Sequence, residues 1–124
     1  MELLVVSAII VMLGSLALVQ FQTYRARARD AEREQEIGSL QKALALYVAD
    51  ARSFPIAQGV ITGSDPLSQA LLDAGTIGAI PRDPLSAGEY VYSYESSGPT
   101  YLITYTLETD SIHGKKKGLQ TAGP

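Results

Sequence analysis

The sequence predicts an α+β fold in which one long N-terminal helix packs on a small C-terminal antiparallel β-sheet. Three observations predict it. No charged residue lies between Glu2 and Arg25. No proline occurs before Pro55, and the chain ahead of it is dense in helix formers. Beyond it, two tyrosine-rich segments flank a Gly-Pro turn, the second alternating residue by residue between two faces. At 124 residues there is room for one domain, which excludes large enzymes with a cleft between lobes. Ten basic against 13 acidic residues give a formal net charge of −3, so no global field draws nucleic acid or an anionic lipid surface. With no cysteine there is no disulfide framework, thiolate nucleophile or cysteine metal site.

The first segment, residues 1–24, reads as a hydrophobic transmembrane or filament-core helix. Leu3 to Val19 is LLVVSAIIVMLGSLALV; at 1.5 Å per residue it covers roughly 26 Å, and Gln20 to Tyr24 carry it past a hydrocarbon layer of ~30 Å. A secretory signal peptide would place basic residues before a shorter core and a small-residue cleavage site after it. Here Glu2 stands in the basic position and no cleavage motif interrupts the helix. Arg25, Arg27 and Arg29 would by the positive-inside rule put the following domain in the cytoplasm. A basic leader removed from the N-terminus would reverse that orientation. Glu2 itself is expensive, because a carboxylate deep in a bilayer costs roughly 2.5–3.5 kcal/mol on insertion scales. It either reaches the headgroups and its own terminal amine, or accepts the N-terminal ammonium of a neighbouring copy in a low dielectric.

Residues 25–54 read as the amphipathic continuation of the same helix. Ile37, Leu40, Leu44, Tyr47, Val48 and Ala51 recur at intervals of three and four, one apolar stripe for a soluble partner surface. Before the stripe, Arg25, Arg27, Arg29 and Arg33 are balanced by Asp30, Glu32, Glu34 and Glu36, with i,i+3 pairs such as Arg29 with Glu32 and Arg33 with Glu36. The block is either a solvated, salt-bridged face or a set of inter-subunit charge pairs. Its basic end and acidic end would let axially staggered copies cross-pair.

Residues 55–124 read as a small globular head. Phe54-Pro55 ends the helix and opens a loop-rich stretch. Asp65-Pro66 supplies an N-cap and first-turn proline for a short helix, LSQALLDA, stopping at Gly75. Strands are predicted at Glu89–Glu95 and Thr100–Glu108, joined by Ser96-Ser97-Gly98-Pro99 as an antiparallel hairpin. In the second, Tyr101, Ile103, Tyr105 and Leu107 share the face that the helix stripe would cover. Lys116 to Thr121 is either a third strand or a loose, lysine-marked tail.

Side chains with catalytic chemistry are sparse. His113 is the only histidine and lies in a polar loop, so no triad forms around it. Asp65, Asp73, Asp83, Glu89, Glu95, Glu108 and Asp110 are scattered one per turn or strand end, as caps and solubilising charges; a loop calcium at Asp110 is the competing reading. Lys115 to Lys117 is a short basic run that an anionic partner such as DNA could touch, although three lysines are ordinarily solvated surface. Tyr90, Tyr92, Tyr94, Tyr101 and Tyr105 suit sheet packing. No cofactor and no metal are expected, and an enzyme is the least favoured class.

The order of features, from MELLVVSAIIVMLGSLALVQ through the Arg/Glu block to Phe54-Pro55, resembles the N-terminal half of a type IV pilin or type II secretion pseudopilin. The specific part is residues 2 to 24; the loop Ile80-Pro81-Arg82-Asp83-Pro84 before a Tyr-rich sheet resembles the major-subunit head more weakly. The resemblance implies a basic leader cut and N-methylated by a prepilin peptidase, assembly by an ATPase-driven platform, and identical subunits as partners in a helical homopolymer. It implies residence in the cytoplasmic (inner) membrane before assembly and an extracellular filament on the cell surface afterwards. Glu2 would recruit subunits through a neighbour's amine, with Leu3, Leu4, Val5 and Val6 in the packed core. The sequence departs from the family in three ways. Only Met1 precedes Glu2, where the family carries four residues. Val19 stands where a helix-breaking proline is common, leaving Gly14 and Ser15 as the point where the helix would loosen. Both the C-terminal cysteine loop and the clustered aspartates of calcium-binding relatives are missing. The expected function is a structural subunit of a type IV pilus-like filament; the alternatives are a major pseudopilin of a type II secretion system and a monomeric single-span module that presents its hairpin to a ligand.

Overall fold

A computed structural model describes residues 1–124. Its first element, α1 (Glu2–Ala51), is one uninterrupted helix of 50 residues, about 75 Å long at 1.5 Å per residue. It runs straight through Gly14 and Ser15, where the Ser15 hydroxyl donates to the Met12 carbonyl at 2.8 Å. The end of α1 is built locally. Arg52 turns into the left-handed region at φ 61° and its N–H donates to the Val48 carbonyl at 2.9 Å. Pro55 then holds Phe54 out of helical geometry, and the Phe54 N–H donates to the Gly98 carbonyl at 2.8 Å.

The head adds β1 (Ala57–Val60), α2 (Pro66–Asp73), β2 (Ser93–Ser96), β3 (Tyr101–Leu107) and β4 (Gly118–Ala122). The four strands form an antiparallel meander in the order β1-β2-β3-β4. Helix α2 is where Asp65-Pro66 predicts it. The Asp65 carboxylate accepts from the Ser68 N–H at 3.1 Å and also from the Thr62 N–H at 2.7 Å, and Gly75 follows at φ 67°. These bonds hold the Asp65 carboxyl below its usual value, overcoming the opposite effect of its burial.

The hairpin forms with shifted boundaries. β3 spans nearly the predicted segment, but β2 begins at Ser93 rather than Glu89. The chain instead turns at Ala87–Tyr90, where the Tyr90 N–H donates to the Ala87 carbonyl at 3.0 Å and Gly88 takes φ 60°. That turn also breaks the inward–outward alternation of β3. Thr106 is buried because its hydroxyl donates to the Glu89 carbonyl at 3.0 Å. The connecting turn is Ser97–Thr100, tied by the Ser96 hydroxyl, which accepts from the Gly98 N–H and donates to the Thr100 carbonyl. The lysine-marked tail does form a strand, β4, paired with β3 over Gly118–Ala122. Strand β1 lies in the stretch the composition marked as loop. Its side chains carry no alternation, and it forms because β2 offers a free edge, with Ala57 opposite Ser96 and Val60 opposite Ser93.

One core joins helix and sheet. Ile37, Leu40, Ala43 and Leu44 of α1 pack with Ile61, Leu67, Leu71, Tyr92, Tyr94 and the inward residues of β3. Most of the predicted stripe is thus the contact face, but Tyr47 and Val48 are only half-buried and Ala51 is exposed, since the helix outruns the sheet there. Residues from Asp30 onward and the head therefore form a single packed unit.

Candidate functional site

Two features of α1 stand out, a bare apolar rod and a buried ionic clamp. The rod is the N-terminal half. Every large apolar side chain from Leu3 to Val19 is more than half exposed, on all sides of the helix. The segment is long and apolar enough to cross a membrane. Glu2, Leu3, Leu4, Val5 and Val6 lie at its tip, about 29 to 35 Å beyond Arg25 along the axis. Nothing in the head touches them. An apolar surface of this extent is unstable in water and demands lipid or protein around it.

The clamp sits where the rod enters the head. Arg33 is fully buried. Its Nε and Nη2 fork onto the two oxygens of Asp83 at 2.6 and 3.0 Å, and its Nη1 donates to Asp30 at 2.8 Å and to Glu108 at 2.7 Å. The Tyr90 ring lies 5.0 Å from the guanidinium carbon. Arg29 forks in turn onto Glu108, at 2.7 and 2.6 Å. Asp30, also fully buried, accepts from the Glu108 and Thr109 N–H groups at 2.9 and 2.8 Å and from the Thr109 hydroxyl at 2.6 Å, so it caps the end of β3. Burial opposes the charge on Arg33, but the bonds from Asp83 and Glu108 outweigh it and raise its pKa further. The bonds from Arg29 and Arg33 hold the Glu108 carboxyl at about 2 despite its partial burial.

Two further contacts tie α1 to the sheet. The Tyr105 hydroxyl donates to Glu34 at 2.6 Å, and Lys115 donates to Glu34 at 2.7 Å and to the Tyr105 oxygen at 2.6 Å. The Tyr92 hydroxyl donates to Glu36. Burial raises the Glu36 carboxyl above its usual value, and the Tyr92 bond only partly offsets that.

The charged block is therefore neither wholly solvated nor wholly free for a neighbour. The expected pairs Arg29–Glu32 and Arg33–Glu36 do not form; Arg29, Asp30, Arg33, Glu34 and Glu36 all turn to partners in the head instead. The reason is energetic. A buried, bidentate pair shielded from water is far stronger than an exposed i,i+3 contact. Arg25, Arg27 and Glu32 alone remain exposed with no ionic partner in the chain. Arg25 and Arg27 lie over the Phe21 and Tyr24 rings.

The head residues that bind the charged block escaped the sequence reading. Asp83 and Glu108 look like a loop cap and a strand-end solubiliser, and Lys115 looks like a tail charge. The available signal was the setting of Asp83 between Pro81-Arg82 and Pro84, a stiff loop able to present a fixed carboxylate. His113 is exposed in a turn, and no three His, Asp or Glu side chains converge as a metal-holding group. Compared with protein-family models, curated proteins and solved structures, the chain finds no match.

Proposed function

We propose that the chain is a structural subunit of a type IV pilus-like filament, held in the cytoplasmic membrane before assembly and packed helix against helix afterwards. The observation that carries this reading is the rod. It is apolar on every side, unbroken, and continuous with a helix locked into a polar head, so a head cannot move without its rod. Such a shape suits an object that exchanges lipid neighbours for copies of itself. In the membrane, helix association rests on close packing and polar contacts rather than on the hydrophobic effect, and Gly14, Ser7 and Ser15 thin the rod locally. Glu2 is the polar contact at the tip, and Gly14 and Ser15 are where the rod would flex under assembly. A prepilin peptidase and an ATPase-driven platform are the partners this reading requires.

The test is assembly of the full-length chain in its native membrane, followed by shearing and sedimentation of surface filaments. Glu2→Ala should abolish the sedimented fraction while membrane levels of the subunit stay normal. Sedimentation unchanged by Glu2→Ala, or a wild-type chain recovered only as monomer, would overturn the reading. Electron microscopy of the sheared material separates a long surface fibre from a short secretion pseudofilament by length.

A further inference from the structure

The clamp reduces the eight charges of the block to three that are free, and those three are arranged in a way that selects an offset between neighbours. On an α-helix Arg27 and Glu32 are five residues apart, so they lie roughly 140° around the axis from one another and about 7.5 Å apart along it. They occupy opposite flanks of α1. Glu32 opens onto a groove formed with Gln35, Glu36 and Ser39 of the helix and with Ile80 and Pro81 of the loop before β2, a space of about 470 Å³. On the other flank Glu34 is held by Tyr105 and Lys115, and Arg27 projects free two turns before it.

Parallel rods with their heads on one side meet flank against opposite flank. With no axial offset, the free Arg27 of one copy would face the free Arg25 of the next, a like-charged and unfavourable contact. An offset of about five residues along the axis removes this conflict. Arg27 then reaches Glu32, Arg25 meets the neutral Gln20, and Glu34 meets the neutral Ser39. We propose that Arg27 of a second copy of this chain docks against Glu32 in this groove, fixing the axial stagger between adjacent rods at about 7.5 Å. This rests on the filament reading and adds to it a named contact and an offset. Glu36 at the groove floor, already bonded to Tyr92, deepens the negative potential that the incoming guanidinium would meet.

The test uses the full-length chain, which contains no cysteine. Arg27→Cys and Glu32→Cys variants, assembled together and treated with a short bis-maleimide, should give a heterodimer that neither variant gives alone. Arg27→Glu should lower the sedimented filament fraction about tenfold, as expected when like charges face each other, and the exchange Arg27→Glu with Glu32→Arg should restore it. Neither residue bonds within its own chain, so circular dichroism should show all variants folded. If filaments form but no mixed cross-link appears, or the exchange fails to restore assembly, the Arg27–Glu32 contact is wrong and the filament reading stands. If no variant and no wild-type chain assembles, both fall.

Discussion

Arg33 is a full positive charge without water at the junction of helix and sheet. Burying such a charge costs several kcal/mol unless its partners are complete. Here they are, with Asp83, Asp30 and Glu108 all in place and no buried side-chain donor or acceptor left unpaired. Removing one member is therefore much worse than never having had the network. Arg33→Met should destabilise the head by about 3–5 kcal/mol, since Asp30 and Asp83 would remain as buried, uncompensated carboxylates; chemical denaturation followed by circular dichroism checks it. Arg33→Lys should rescue only part, because an ammonium cannot fork onto Asp83 and reach Glu108 together. The same cluster sets an acid limit. The Glu108 carboxyl is held at about 2 against an ordinary 4.5, so its contribution is complete above pH 4.5 or so and is lost as pH falls toward about 2. Glu36, raised by burial, works with the opposite sign and is relieved by protonation. Glu108 forms the larger network, so the denaturant midpoint should drop between about pH 5 and pH 2, and a midpoint independent of pH across that range would contradict the clamp.

At the scale of elements, local chemistry and long-range pairing divide the work. Helix α2 is local. Asp65 caps it, Pro66 fits its first turn and Gly75 ends it, all visible in a stretch of eleven residues. Asp65→Ala should cost about 1 kcal/mol or somewhat more, because the same carboxylate also holds the Thr62–Gly63 turn; thermal unfolding of the full chain measures it. The strands behave differently. β3 is legible from Tyr101-Leu102-Ile103-Thr104-Tyr105 because one of its faces is core and its alternation is strong. β1 is illegible, since Ala57-Gln58-Gly59-Val60 has no period and is a strand only by virtue of the neighbour it pairs with. β2 starts at Ser93, later than its tyrosines suggest, for a related reason. Tyr90 has strand character, yet it is drawn out of the sheet to lie against Arg33, a residue more than fifty positions away.

For the whole molecule the division is between a unit that is self-sufficient and a rod that is not. All core residues lie at or beyond Asp30, and the apolar rod contributes nothing to them. Removal of residues 1–24 should therefore leave a soluble, folded monomer with the melting behaviour of the intact head, measured by sedimentation and calorimetry. Aggregation or unfolding of the truncated chain would show that the rod stabilises the head after all. The intact chain should behave in the opposite way, requiring detergent, lipid or its own copies to stay dispersed.

Sequence alone determined the parts whose physics is written in neighbouring residues: a charge-free membrane-length helix, its proline-terminated end, the capped α2 and the alternating β3. Periodicity and capping act over a few residues and leave their mark there. Only the tertiary structure decided which charges are spoken for. Arg29 passes over Glu32 and Arg33 passes over Glu36, each one turn ahead on the helix, and they bind Glu108 and Asp83, fifty or more positions along the chain. The reason is dielectric. A carboxylate brought beside a guanidinium in a dry core binds it more strongly than one exposed on the same helix face, and dryness is a property of the assembled fold that no local spacing records.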